Sequence, residues 1–417
     1  MKGGETVQVI YERCCGLDVH KRTITGCVLK WLRGAWQKKI RQFGTTTKDL
    51  LALSDWLVGE GCTHVAMEST GVYWKPVYNI LEGQFELLVV NAQHLKAVPG
   101  RKTDVRDAEW IAELLAHGLL RGSFVPPANV RELRDFTRYR TSLVRDRART
   151  INRLQKVLED ANIKLANVVT DIHGVSARLM LEALVAGERD AQQLANLAKG
   201  RLKGKREQLV EALCGRLKPH QSFLIAEHLA QVDYLEEAIE RLSQQIEERL
   251  RPFEQEIALL DTIPGVNRRT AEVLWAETGG DMSRFASARH LASWAGMCPG
   301  NNESAGKRRT GRTRKGSPWL RHCLIEAAHG AGRTKNKYLS SQYHRIGARR
   351  GKKKALVAVG HSILVIAYHV LTRKQAYSDL GANYFDERDR QAVTKRCLSR
   401  LQRLGYKVSL EKMALAA

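Results

Sequence analysis

The sequence predicts an α/β domain at its amino end, followed by two mostly helical domains. Three observations point there. Short apolar runs alternate with helical spacings over the first 125 or so residues. After Pro126-Pro127 the strand signals stop and helical periodicity takes over. A very basic stretch, Ser304 to Lys354, then lies inside a further helical segment. A chain of 417 residues, 43% hydrophobic, is long enough for two or three cores. The expected domains are 1–127, 128–257 and 258–417.

The elements follow in order. Cys14 to Val19 is an apolar run containing Asp18, read as a first strand. Thr23 to Trp31 and Trp36 to Phe43 are the next two, with Gly34 turning a hairpin between them. Thr47 to Val58 has helical spacing at Leu50, Leu51, Leu53, Trp56 and Leu57, with Thr47 as N-cap. His64 to Met67 is a fourth strand ending at Glu68, Tyr73 to Leu81 a helix, and Phe85 to Val90 a fifth strand. Asp104 to His117 is a helix with Ile111, Leu114 and Leu115 on its apolar face. Three antiparallel strands, then alternating helix and strand, describe a ribonuclease-H-like architecture.

Arg131 to about Leu165 reads as a long basic helix. Residues 166–226 are helical without a clear pattern. Val232, Leu235, Ile239, Leu242 and Ile246 recur in steps of three and four, a heptad seam that fits an intramolecular helical hairpin or a dimer zipper. From Ala258 onward, Leu260 to Val266 followed by Thr270-Ala271 has the form of a helix-hairpin-helix. Backbone amides at such a glycine turn, here Gly265, can face a phosphate. Asn267 stands where a second glycine is usual. Ser317-Pro318 reads as an N-cap with proline at the first helical position.

The formal charge of +24 calls for a polyanionic partner. It is concentrated between Ser304 and Lys354, where sixteen Lys or Arg face one acid, Glu326, with Trp319, Tyr338 and Tyr343 interleaved. Charge at that density repels itself unless phosphates neutralise it. The candidate nucleic-acid contacts are Lys307, Arg308, Arg309, Arg312, Arg314, Lys315, Arg349, Arg350, Lys352 and Lys353, with Gly265 at the hairpin. The eight cysteines form no Cys-x-x-Cys pair, which excludes the usual zinc spacings. Scattered thiols without a signal peptide fit a reducing cytosol. The apolar run Ala355 to Leu371 is 17 residues and carries His361 and His369, so a buried helix is expected rather than a membrane span.

The carboxylates of the first domain fall at informative places. In a ribonuclease-H-like sheet the first and fourth strands are neighbours, which sets Asp18 beside Glu68. Asp104 and Asp107 are three apart at the start of a helix and share a face. Four carboxylates so placed repel one another unless cations bind. Hard oxygen donors suit Mg2+ or Mn2+, and two such ions can clamp both oxygens of a phosphodiester exchange.

Gly16-Leu17-Asp18-Val19-His20-Lys21, Met67 to Trp74, Asn91-Ala92 and Lys102 to Ala108 resemble the blocks of the DEDD transposases, the insertion-sequence 110 family. Ile263 to Val266, Ala295-Gly296, Ser304 to Lys307, Arg349 to Lys353 and Ala355 to Tyr368 resemble its carboxy-terminal transposase domain. The long middle region suits the insertion-sequence 1111 branch. The resemblance implies a RuvC-like domain in which Asp18, Glu68, Asp104 and Asp107 hold Mg2+, and a catalytic serine, here Ser304. It also implies DNA donor and target, a guide RNA encoded by the element (the bridge RNA), a tetramer with sites shared between subunits, and a bacterial cytosolic setting. Ser304-Ala305-Gly306 departs from a Ser-Gly-Gly form by one small residue. The competing expectations are a metal-dependent, structure-selective nuclease in which water attacks, and a non-catalytic nucleic-acid-binding protein.

Overall fold

The computed structural model describes residues 9–69, 71–91, 107–300, 302–304, 306–313 and 315–411. The chain forms two compact units, Met1–Pro126 and Pro127–Ala417.

The first unit is a five-stranded sheet in the order β3-β2-β1-β4-β5. Its strands are β1 (Arg13–Val19), β2 (Ile24–Leu32), β3 (Ala35–Phe43), β4 (His64–Glu68) and β5 (Glu86–Val90). β1, β2 and β3 pair antiparallel, and β1–β4 and β4–β5 pair parallel. The β2–β3 turn is only Arg33 and Gly34, both with positive φ (52° and 82°). Two such residues make a turn whose twist matches that of the strands. α1 (Thr47–Gly59) starts one residue earlier in its capping than the sequence spacing implies. Thr46, still extended, accepts from the Asp49 amide, and the Asp49 carboxylate accepts from the Thr46 amide. α2 (Trp74–Leu81) and α3 (Asp107–Ala116) complete the described helices of this unit. The start of the helix expected from Asp104 lies outside the described residues up to Asp107.

Strand alternation divides the sheet into two cores. Cys15, Leu17, Val65, Met67 and Val89 pack with α1 and α2 on one face. Cys14, Cys27, Ala66 and Val90 pack with Ala108, Ile111 and Leu115 of α3 on the other.

The second unit is almost entirely helical. α4 (Ala128–Asp160) ends where Ala161-Asn162 turns, Asn162 having φ of 54°, so Leu165 falls outside the helix. Three short helices follow, α5 (Val175–Val185), α6 (Ala191–Asn196) and α7 (Arg206–Leu213). They close on a core of their own with Leu154 and Leu158 of α4. The segment returns beside its starting point: Lys164 N donates to Ala212 O (2.8 Å) and Arg216 N to Ala161 O (2.9 Å). α8 (Pro219–Leu250) then runs against α4. Val232, Leu235, Ile239 and Ile246 of the seam are buried, and Leu143 of α4 packs on Leu235 and Ile239.

The largest core gathers α9 (Glu254–Asp261), α10 (Arg268–Thr278) and α11 (Ala288–Trp294), and after the hairpin β6 (Asn302–Ser304) and β7 (Lys307–Thr310), α12 (Pro318–Arg333), α13 (Tyr338–Arg350) and α14 (Lys352–Arg373). α15 (Tyr384–Arg388) and α16 (Arg390–Arg403) follow. α14 is long and apolar enough to cross a membrane by length and composition, but Leu356, Val359, Ile363 and Leu364 on it belong to this core. The glycine turn between α9 and α10 is present, with Gly265 at φ of 85° and Asn267 capping α10 through Thr270 N. A Cβ at Gly265 would lie 2.2 Å from Ala327 O, so this glycine lets the turn seat on the backbone of α12.

Candidate active site

Asp18 and Gly16 alternate with Leu17 on β1, so both point to the α3 face of the sheet. The parallel register pairs Leu17 with Met67, which sets Asp18 level with Glu68 at the carboxyl ends of neighbouring strands. Glu68 shares the face of Ala66 by the same alternation. α3 lies directly on β1 because position 16 has no side chain: a Cβ there would sit 2.3 Å from Ala108 O and 2.4 Å from Ala112 N. That contact holds the first residue of α3, Asp107, over the same face.

The electrostatics agree with this placement. Burial pushes the Asp18 carboxyl above its ordinary range, His20 opposes the rise by charge and hydrogen bond, and Asp107 and Glu68 add to it. Asp107 and Glu68 thus both act on Asp18. Asp104 lies outside the described residues. His20, which the sequence reading left without a role, places Nε2 3.0 Å from Asp18 Oδ2. Its spacing of two residues on a strand end was the available signal. Carboxylates are the donor type a hard divalent cation takes, but in this structure Asp18, Glu68 and Asp107 do not bring three ligand atoms together within the reach of one ion, Asp18 being hydrogen-bonded to His20 instead.

In the second unit, Ser304 ends β6 opposite Lys307 of β7, with Gly306 at φ of 73° in the turn. The base of this hairpin is fixed by a bridge between Pro299 and Thr313 and by Gly300 N donating to Arg312 O at 3.0 Å. Arg321 of α12 donates to Thr313 Oγ1 (2.7 Å). Beyond it Ser317 caps α12 by accepting from Leu320 N, and its hydroxyl donates to Glu277 Oε2 (2.9 Å). Glu277, 1% exposed, accepts from Nε and Nη2 of Arg138, at 2.7 and 3.0 Å. Lys307, Arg312 and Lys315 are exposed along the hairpin. Arg308 and Arg309 lie in β7, and Arg314 is outside the described residues. Arg349 and Arg350 close α13 while Lys352 and Lys353 open α14, all four exposed around Gly351.

One further cluster was not legible in the sequence. His173, Asp233 and Glu236 bring ligand atoms within 4.8 Å of one another and can hold a metal ion. Residues 60 positions apart meet there only because α5 and its preceding turn fold back on α8. Arg178 already binds both oxygens of Asp233 (2.8 and 2.7 Å), and Arg147 donates to Glu236 (2.7 Å). Those guanidiniums would compete with a cation for the same oxygens.

A family model described as a transposase, of the DEDD IS110 kind, matches residues 15–163. A second, described as "Transposase IS116/IS110/IS902 family", matches residues 257–344. The first match contains the carboxylates and the second contains Ser304. The chain is 25% identical over 373 residues to the "Transposase for insertion sequence element IS1111A" of Coxiella burnetii, covering 87% of this chain and 90% of that one. It is 30% identical over 261 residues to the "Insertion element IS116 uncharacterized 44.8 kDa protein" of Streptomyces clavuligerus, covering 54% and 62%.

Proposed function

Because this chain belongs to the insertion-sequence transposases of the IS110 kind, we propose that it cuts DNA strands at the carboxylate cluster around Asp18 in a divalent-metal-dependent phosphodiester reaction. The observation that carries the reading is the strand register that sets Asp18 level with Glu68 at neighbouring strand ends, with α3 seated on the same face at Gly16. Asp18, Glu68 and Asp107, with Asp104 three positions before Asp107 in sequence, would hold the ion. When bound, Mg2+ or Mn2+ compensates the negative charge that grows on the phosphoryl oxygens. His20 orients the Asp18 carboxylate through its hydrogen bond.

The attacking oxygen separates two forms of this function. In the first, water attacks and the strand is hydrolysed. The carboxylates at the strand ends of the first unit and the His173, Asp233 and Glu236 group support this form, which asks for no nucleophile other than water. In the second, Ser304 Oγ gives up its proton and bonds to phosphorus. The leaving 3′-oxygen takes a proton and departs as a free hydroxyl, and the 5′-phosphate stays on the serine. That linkage conserves the bond energy for rejoining without ATP. The resemblance of the Ser304 block, and the placement of Ser304 across from Lys307 in an arginine-rich hairpin, support it. A guide RNA that pairs with donor and target DNA, and assembly as a tetramer, accompany this second form.

Trapping decides between them. The protein is co-expressed with its element's flanking DNA, purified with its RNA, and given Mg2+ and labelled donor and target. An adduct that survives denaturation in the unsubstituted protein and is lost in Ser304→Ala establishes serine-mediated exchange. Cleavage without an adduct, unchanged in Ser304→Ala, establishes hydrolysis. An intact substrate with Mg2+ and with Mn2+ overturns both.

A further inference from the structure

Beyond the hairpin, the start of α13 and the last two helices enclose a cleft of about 670 Å³. The second family match ends at residue 344, and the part of the wall formed by Ala382, Phe385, Asp386, Val393, Arg396 and Cys397 lies beyond it. The cleft combines cationic groups with an aromatic ring. Lys335, Arg345, Arg349 and Arg396 bring four cationic side chains against one lining carboxylate, Asp386. The acids offer them little: Arg345 and Asp386 are 3.9 Å apart, as are Arg396 and Asp389. Among the described residues, no carboxylate pairs with Arg349 or Lys335. Among these groups stands Phe385, whose ring is stacked on Tyr338 at 5.2 Å and 18° between planes and carries the Arg345 guanidinium 5.3 Å from its centroid. This ring is therefore held in place rather than free to turn.

We propose that this cleft is a binding site for a single unpaired nucleotide of the bound nucleic-acid strand, its phosphate on the arginines and its base against the Phe385 wall. The volume falls within the roughly 300–1,000 Å³ of small-ligand sites and cannot admit a duplex. A purely backbone-tracking surface needs the cations but not a fixed aromatic wall, whereas unpaired strands are held by both. The inference rests on the nucleic-acid function proposed above. DNA and RNA strands offer the same nucleotide chemistry, and only the 2′-hydroxyl distinguishes them at such a site.

Cys397 lines the cleft and is exposed, and Cys214 is exposed elsewhere on the chain. The pair forms a probe with its own control. The rate of maleimide labelling of each thiol is measured on the full chain, alone and with saturating single-stranded DNA, single-stranded RNA, blunt duplex or nucleoside monophosphate. Binding is followed independently by fluorescence anisotropy. The expected result is protection of Cys397 by about tenfold with single strands, no protection by duplex, and unchanged labelling of Cys214. In the exposed double variant Arg349→Gln/Arg396→Gln the single-strand affinity falls about tenfold and the protection is lost. Protection by RNA alone or DNA alone assigns the strand. Strand binding that leaves Cys397 unprotected, or equal protection by duplex, overturns the cleft while the nucleic-acid function stands. Absence of binding to any probe overturns both.

Discussion

Arg140 and Glu272 form an ion pair of 2.7 Å in which each side chain is only 4% exposed, although 132 residues separate them in the chain. It ties α4 to α10, one turn away from the Arg138–Glu277 pair that anchors the start of α12. A buried pair contributes little against an apolar replacement, but a lone buried charge is costly.

Glu272→Ala therefore strands the Arg140 guanidinium in the interior. The expected loss is about 3–5 kcal/mol, read as a lowered urea midpoint. The double substitution Arg140→Met/Glu272→Leu should regain most of it. If the double variant is no more stable than Glu272→Ala, the desolvation account is wrong.

Gly16→Ala puts a methyl group into the backbone of α3. Overpacking of this kind costs about 1–3 kcal/mol, and relief requires α3 to lift from the sheet, carrying Asp107 away from Asp18. Metal-dependent cleavage should fall by more than the unfolding midpoint explains. A variant that keeps full activity would show that α3 does not set the carboxylate spacing.

Asp18→Ala and Glu68→Ala should each abolish strand cleavage and exchange while leaving nucleic-acid binding nearly intact, because the basic surfaces lie in other segments. Chelation with EDTA should reproduce the loss, and added Mg2+ should reverse it. Unimpaired recombination by either variant rules out the metal assignment.

Affinity for nucleic acid should fall steeply as salt rises, since each cation on a phosphate releases a counterion. A plot of log affinity against log salt that stays flat would refute the charge argument built on Ser304 to Lys354.

Burial pushes the Cys14, Cys27 and Cys62 thiols up to about 12. They stay protonated at neutral pH, and the protonated form is the unreactive one. Native protein should thus label at Cys214 and Cys397 and spare these three until it unfolds, as mass spectrometry of the labelled peptides would show.

Much of this was legible in the sequence, for reasons that differ by element. β1 to β5 could be placed to within about a residue or two because alternation and turn residues act locally. The adjacency of Asp18 and Glu68 followed from strand order alone. Thr46 displaced Thr47 as the cap because only backbone geometry distinguishes two neighbouring threonines. The region around residues 166–226 gave no pattern because α5, α6 and α7 are too short to show a period, and Leu165, Met180 and Leu209 are buried by one another rather than by a repeating face. Arg140–Glu272 and the His173 cluster join residues whose proximity no local spacing records.

The short-helix segment between α4 and α8 leaves and re-enters within hydrogen-bonding distance, Ala161 receiving Arg216 while Gly215 lies against it. Its ends already meet, so its loops can change length without pulling α4 and α8 apart, while its core must stay because it covers Leu154 and Leu158 of α4 and Ile225 and Leu229 of α8. Differences in length among related chains should accumulate in the loops between α5, α6 and α7.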